Sequence, residues 1–253
     1  MTETVAVVGG TGTLGALVVR DLVAKGATVR VLSRSAANVP AGAAHHRVDL
    51  TSGEGLAQAL AGVDAVVDAA NSTKGAEEVL VAGTRRLLEA EAAAGVGHHL
   101  AISIIGIDRV PMSYYRVKLA QEQAVESAPI PFSILRASQF PQLLDMAFTA
   151  AARFGVRPTG TAKVQPIDPA VVADRLADAA LAPPAGRLPD LAGPRIQTLS
   201  ELSHAWASAR GKHRLPFRIP AWGKMGKALA AGGLCDPDAA TPGEDFEEWL
   251  RHG

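Results

Sequence analysis

A phenol and an ammonium stand four residues apart in Tyr114-Tyr115-Arg116-Val117-Lys118. On a helix that spacing puts Tyr114 and Lys118 on one face. A cation close to a phenol draws its pKa down from about 10 toward the working range. Tyr114 is then a candidate general acid toward a carbonyl oxygen. Ser103, on the preceding strand, is a candidate donor of a second hydrogen bond to the same oxygen. Tyr114, Lys118 and Ser103 form the candidate catalytic set. Two alternatives stay open: Tyr115 is also within one turn of Lys118, and a strand residue such as Ser103 points either to the site or to the core. Tyr-x-x-x-Lys is common by chance, so its meaning depends on the elements that hold it.

The element that gives it meaning lies at the start of the chain. An apolar run, Val5 to Val8, leads into Gly9-Gly10-Thr11-Gly12-Thr13-Leu14-Gly15, followed by an apolar helix-period segment to Lys25 and a second apolar run from Thr28 to Leu32. Strand, glycine turn, helix and strand make one βαβ unit. The turn satisfies G-x-G-x-x-G in the context that pattern needs. A dinucleotide pyrophosphate on the helix N-terminus would meet free N–H groups and the positive end of the helix dipole. A Cβ at Gly10 or Gly12 would hold the phosphates away, and one at Gly15 would push the helix off the sheet. Gly9, Gly10, Thr11, Gly12, Thr13, Leu14 and Gly15 are the expected pyrophosphate cradle.

The end of the second strand selects the cofactor. NAD is gripped there by a carboxylate on the ribose 2′-hydroxyl. Here the chain reads Leu32-Ser33-Arg34-Ser35, without a carboxylate. Arg34 can pair with a 2′-phosphate and Ser33 and Ser35 can donate to it, so NADP(H) is expected over NAD(H). Asp49 and Leu50 fall where an adenine edge and face would lie; equally, Asp49 begins a turn.

Strands alternate with helices over the first two thirds. Further strands are expected at His46 to Leu50, Asp64 to Ala70, His99 to Ile105 and Phe132 to Leu135, with helices at Glu54 to Leu60, Glu77 to Ala94 and Ser113 to Ser127. This pattern predicts an α/β fold, a doubly wound parallel sheet with helices on both faces. Ligands of such sheets sit beyond the C-terminal strand ends, which adds Ala69, Ala70, Asn71 and Gln139 to the residues of interest. The 253 residues are read as one domain: a cofactor-binding core over 1–140 and a mixed region over 141–253 that serves as substrate pocket or lid. In that region helices are expected at Gln139 to Arg153, Pro169 to Leu181, Leu199 to Ala209 (capped by Thr198 or Ser200), Trp222 to Ala231 and Pro242 to Leu250, with short strands at Val164 to Ile167 and Arg187 to Leu191.

A composition of 48% hydrophobic and 20% charged residues belongs to a globular chain. Its formal net charge of zero, with scattered Lys and Arg, gives no sign of a nucleic-acid partner. The single cysteine, Cys235, is read as structural and fits a reducing, cytoplasmic setting. The first strand begins too early for a leader peptide, and no apolar run is long enough to span a membrane. His45-His46 and His98-His99 resemble metal pairs, but neighbours on a strand face opposite ways. They are expected to be strand-edge surface histidines, His204 and His213 lack ligand spacing, and no metal site is expected. Most of Trp206, Phe217, Trp222 and Trp249 are expected in the core, with one or two lining the substrate pocket. A small-molecule substrate is the expected partner, and a homodimer is compatible with the sequence.

These pieces together resemble the NmrA-like group of atypical short-chain dehydrogenase/reductases. The resemblance rests on Gly9 to Gly15, Ser33-Arg34, Ser103 to Gly106, Tyr114 to Lys118, Ile134 to Phe140, Val164 to Asp168 and Leu191 to Pro194. It implies a Rossmann-like fold with a small C-terminal substrate region. It also implies Lys118 at the nicotinamide ribose, and Ala69, Ala70, Asn71 and Phe140 along the cofactor. Ser103 and Tyr114 are only eleven residues apart, closer than in standard members. Two functions follow from the resemblance: NADPH-dependent hydride transfer to a small apolar quinone, enone, carbonyl or imine, with or without Tyr114, or non-catalytic sensing of NADP(H). A sugar-nucleotide epimerase shares the fold but needs NAD and a larger C-terminal region.

Overall fold

The computed structural model describes residues 3–211 and 214–252. His213 lies outside them. In chain order the elements are β1 (Thr4–Val8), α1 (Thr13–Ala24), β2 (Thr28–Ser33), β3 (Ala43–Arg47), α2 (Leu56–Leu60), β4 (Ala65–Asp68), α3 (Gly83–Ala94), β5 (His98–Ile104), α4 (Ser113–Glu126) and β6 (Phe132–Ala137). Then follow α5 (Pro141–Ala152), β7 (Val156–Thr159), β8 (Lys163–Val164), α6 (Pro169–Ala180), β9 (Gly186–Arg187), β10 (Gln197–Thr198), α7 (Leu199–Ala209), β11 (Leu215–Arg218), α8 (Gly223–Ala230) and α9 (Phe246–His252). A π-helical turn, Glu78–Ala82, leads into α3.

Two compact units divide the chain. The first comprises residues 1–103, 116–135 and 169–188, and the second 104–115, 136–168 and 189–253. The segment 169–188, grouped by sequence with the C-terminal region, belongs to the first unit.

The first unit is built on a parallel sheet in the order β3-β2-β1-β4-β5-β6-β9. This is a Rossmann-like α/β fold. The strand order reverses between β1 and β4, where sheets of this kind open a crevice for ligands. Apolar alternation covers both faces. Ala6, Val8, Leu32 and Val66 point to one side, where they pack with Leu56 and Leu60 of α2 and Leu87 of α3. Val5, Val7 and Val31, each fully buried, point to the other. Helices α1 and α6 pack together.

The third strand is offset from its expected place. It covers Ala43–Arg47 and pairs with β2 from Val29↔Ala43 to Ser33↔Arg47. The apolar residues that suggested a strand, Val48 and Leu50, follow it and join the core beneath α2 and α3. His98 and His99 are also not at a strand edge. Strand β5 lies between β4 and β6, and both histidines are buried, at 4% and 0% exposure.

In the second unit Leu144 and Phe148 of α5, Leu202 and Trp206 of α7, and Phe246 and Leu250 of α9 form one core. The Trp206 indole N–H donates to Asp145 Oδ1 at 2.8 Å. Helix α7 begins with a capping box: Thr198 Oγ1 accepts from the Glu201 amide, and the Glu201 carboxylate accepts from the Thr198 amide. Strands β7 and β11 pair in parallel, and β8 and β10 antiparallel. Trp249 stacks on Phe246, whereas Trp222 and Phe217 are exposed rather than core. Cys235 is buried, which pushes its thiol up to about 11.

Candidate functional site

The glycine turn closes on itself before α1 begins. Gly9 N–H donates to Leu32 O at 3.0 Å, Gly12 N–H to Gly9 O at 2.9 Å and Ala16 N–H to Gly12 O at 2.9 Å. The three glycines have different duties. Gly10 has no room on the protein side: a Cβ there would lie 3.1 Å from both Val31 Cγ1 and Val7 O. A Cβ on Gly15 would lie 2.3 Å from Gly9 O. Gly15 therefore seats α1 against its own turn, rather than against the sheet as the sequence suggested. Gly12 alone looks outward. It is exposed, its φ of −82° suits any residue, and a Cβ would meet only Gly9 O, at 3.3 Å. As N-cap of α1, Gly12 supplies no side chain to the first helical N–H groups. Thr13 is exposed beside it, Thr11 is half-buried and Leu14 is buried.

This turn lies against the exit of β4. Gly9 has φ +71°, and a Cβ there would be 2.9 Å from Ala69 O. Ala69 N–H donates to Val8 O at 3.1 Å, and Ala70 N–H to Asp68 Oδ1 at 3.0 Å. The fold thus brings the cradle and the Ala69-Ala70-Asn71 segment together at the reversal of strand order. Asn71 is exposed.

At the end of β2, Arg34 is exposed and makes no hydrogen bond among the described residues. Ser33 Oγ donates to Ser35 O at 2.7 Å and lies 3.1 Å from His45 Nε2. Its proton is therefore already committed. Ser35 Oγ accepts from Ala37 N–H at 3.2 Å and keeps its own proton. Asp49 does begin a turn: its Oδ1 accepts from Thr51 N–H at 2.8 Å and Thr51 Oγ1 at 2.7 Å. Those bonds, with the charges of Arg34 and Arg47, hold the Asp49 carboxyl below the usual carboxylate range. Leu50 is a core residue, only 9% exposed.

Lys118 is 4% exposed, and its Nζ donates to Ile102 O at 2.9 Å and to Gln121 Oε1. Burial pulls it down to about 8, against the opposing charges of Asp68 and Glu122. Ser103, at 3% exposure, has a buried Oγ with no partner among the described residues. These two belong to the first unit, with the whole glycine turn and Arg34. Tyr114, Tyr115 and Phe140 belong to the second. Phe140 is the N-cap residue of α5 and is half-buried. Tyr115 is 7% exposed and Tyr114 half-buried, with ring centroids 6.2 Å apart.

The expected activation of Tyr114 is not present. Burial raises its phenol above the usual value of 10.0, and Tyr115 is pushed up to about 12. The Lys118 ammonium is engaged by Ile102 and Gln121.

Sequence reasoning missed three residues of this site. Asp68, Thr84 and Gln121 are buried and joined to one another, and Gln121 reaches Lys118. One signal for Gln121 was available: it follows Lys118 by three residues on α4 and so shares its face. Asp68 sits one residue before the strand-end segment already of interest. His98 and His99 do not form a metal site. Nε2 of His98 lies 2.9 Å from Ser133 Oγ, and Nδ1–H of His99 donates to Glu91 Oε2 at 2.9 Å. No metal-holding cluster exists among the described residues.

A family model described as NAD(P)H-binding matches residues 9–183. The chain belongs to the NAD(P)H-binding family. It is similar in structure to an NADPH-dependent quinone oxidoreductase from Escherichia coli complexed with NADPH. The two are 20% identical, the match covers 98% of this chain and 99% of the other, and the TM-score is 0.82. A triphenylmethane reductase from Citrobacter sp., complexed with NADP(H), gives 19% identity, coverage of 98% and 95%, and a TM-score of 0.72. A UDP-glucose 4-epimerase from Thermus thermophilus, complexed with NAD, gives 22%, 98% and 97%, and 0.74. At these identities the likeness establishes the fold. No curated protein matches the sequence. No helix among the described residues is long and apolar enough to cross a membrane.

Proposed function

We propose that the protein is an NADP(H)-dependent oxidoreductase that reduces a small apolar acceptor, such as a quinone, enone, carbonyl or imine. The observation that carries the choice of cofactor is Arg34, an exposed guanidinium with no hydrogen-bonded carboxylate among the described residues, at the strand end where a 2′-phosphate would lie. The residues of the first unit fit a dinucleotide. Gly12 leaves the start of α1 open, and among the described residues no side chain caps that helix and the buried Ser103 Oγ has no partner. The names of two similar structures, a quinone oxidoreductase with NADPH and a triphenylmethane reductase with NADP(H), support the reaction class.

When bound, NADPH would supply a hydride, two electrons and a proton, to the acceptor; a second proton would complete the reduction and leave NADP⁺. The residues bind and orient. The N–H groups opening α1 receive the pyrophosphate, Arg34 and Ser35 the 2′-phosphate, and Lys118 a hydroxyl of the nicotinamide ribose. Asp49 Oδ2, which takes no part in the turn, would be left to accept from the adenine amine, whereas Leu50 is taken up in the core. The second proton comes from solvent.

The test is NADPH oxidation by the pure protein against a panel of quinones, enones, aldehydes and imines, with NADH in parallel and Arg34→Ala beside the wild type. Turnover is expected with NADPH over NADH. Loss of charge-assisted hydrogen bonds of about 1.5–3 kcal/mol should cut that preference roughly 10- to 100-fold in Arg34→Ala. A wild-type preference for NADH would overturn the cofactor reading. Tight NADPH binding without turnover on any acceptor would overturn the enzyme reading and leave an NADP(H) sensor.

A further inference from the structure

Four polar side chains from three elements meet inside the first unit: Asp68 at the end of β4, Thr84 of α3, and Lys118 and Gln121 of α4. None is more than 4% exposed. Their hydrogen bonds run one way. Lys118 Nζ donates to Gln121 Oε1. Gln121 Nε2 donates to Asp68 Oδ2 at 3.1 Å and to Thr84 Oγ1 at 3.1 Å. Thr84 Oγ1 donates to Asp68 Oδ2 at 3.2 Å. An ammonium only donates and a carboxylate only accepts, so the Gln121 amide has one orientation that satisfies both ends.

We propose that Asp68, Thr84 and Gln121 are positioning residues for Lys118, a buried tether that fixes its ammonium, charged, for the ribose of the bound cofactor. The proposal rests on the preceding reading, since it takes Lys118 as a cofactor contact. Three features distinguish a tether from a purely structural cluster. First, the carboxylate reaches the ammonium through Gln121 rather than directly. A buried ammonium held this way is costly for folding, and an apolar side chain would serve a core better. Second, the bonds to Ile102 O and Gln121 Oε1 use two of the three N–H groups of Lys118 and leave one for a ligand. Third, the other oxygen of Asp68 accepts from Ala70 N–H at 3.0 Å. One carboxylate therefore organises both Lys118 and the strand-end segment facing the glycine turn.

The charge balance is set by few groups. Asp68 and Glu122 favour the Lys118 ammonium while burial opposes it. Beyond them, the buried Glu91 and His99 pair also lies within the electrostatic reach of Asp68. Glu122 is in turn bound by Arg187 at 2.8 Å.

The experiment is a fluorescence titration of the full-length protein with NADPH from roughly pH 6 to pH 10. Wild-type affinity should fall as pH rises through about 8, where Lys118 gives up its proton. In Asp68→Asn, of the same shape but without the charge, the midpoint should move down by about one pH unit. Gln121→Met should weaken binding about fivefold or more below the midpoint and also lower it, since the relay is gone. Thr84→Val should act in the same direction, and Thr84→Ser, which keeps the hydroxyl, should restore the wild-type profile. A wild-type midpoint and affinity in folded Asp68→Asn would overturn the tether. Should that variant not fold, Thr84→Val decides, because it changes neither charge nor volume, and an unchanged profile there overturns the proposal equally. Lys118→Met separates the two levels: unchanged NADPH affinity at every pH would remove Lys118 from the cofactor site, and the tether with it, while turnover with NADPH would still stand.

Discussion

Gly12 and Gly15 are three residues apart in one motif, yet the structure assigns them to different functions, and substitution by alanine should separate these. At Gly15 a methyl group would lie 2.3 Å from Gly9 O and 2.8 Å from Gly9 C. Both are backbone atoms of a turn that is itself hydrogen-bonded, so relief requires α1 to shift. Overpacking of this kind costs about 1–3 kcal/mol, and a contact this short belongs at the upper end. Alanine regains less than about 1 kcal/mol in helix propensity. A net loss of about 2 kcal/mol lowers the melting temperature of a chain this size by roughly 4–8 °C. Gly12→Ala meets only Gly9 O, at 3.3 Å, with a backbone any residue adopts. The lower unfolded-state entropy gained, about 0.4–1 kcal/mol, nearly offsets the poorer N-cap, so its melting temperature should change by about 2 °C at most. Its methyl projects where the pyrophosphate would approach, and NADPH affinity should fall about tenfold or more, equivalent to about 1.4 kcal/mol. Thermal unfolding without cofactor and NADPH titration by fluorescence measure the two effects separately. If Gly12→Ala melts as early as Gly15→Ala, or binds NADPH as tightly as wild type, this division of labour is wrong.

Two further perturbations probe the buried charges. Lys118 titrates at about 8 in the folded protein, below its usual 10.5, so between those values the unfolded chain holds a proton that the folded one has lost. Its penalty is fully present below pH 8 and fades as pH rises toward 10.5, so urea unfolding should show wild type gaining stability relative to Lys118→Met over that window; a constant difference would contradict the assigned burial. Burial opposes a charge on His99 but the Glu91 carboxylate outweighs it and raises the imidazole, while burial also raises Glu91. Glu91→Leu strands a buried imidazole and should cost about 3–5 kcal/mol, with much of that recovered in the double variant Glu91→Leu/His99→Phe; equal losses in both would show that packing rather than pairing is at stake.

What was legible in the sequence is what is local. The first βαβ unit is contiguous in the chain and the cap of the helix over Leu199–Ala209 is set by Thr198 and Glu201 three residues apart, and the structure places both as expected. Elements defined by distant partners were harder. Strand β3 reads Ala-Ala-His-His-Arg and carries no apolar run, because it is an edge strand whose neighbours Val48 and Leu50 do the burying. Strand β7, only Val156–Thr159, contains Pro158 and exists through pairing with β11, far along the chain. Polar residues at His98 and His99 suggested a surface, and only the strand order shows β5 to be interior. There Glu91 and Ser133 meet the imidazoles' hydrogen-bonding needs on one side each.

The site divides in the same way. Tyr114 and Lys118 share a helix face by spacing, but spacing does not say where an ammonium at the end of four methylenes will settle. The structure sends it inward to Ile102 O and Gln121. It also puts the two cations of the proposed cofactor site in opposite dielectric environments. Arg34 stands in water, where its attraction for a phosphate is open to screening by salt. Lys118 is desolvated before any ligand arrives, so part of the cost of presenting its charge has already been met in folding. A buried, pre-oriented cation loses little on binding and tolerates little displacement. That is why the residues behind it, rather than the exposed loop around Arg34, should govern how accurately the nicotinamide end is held.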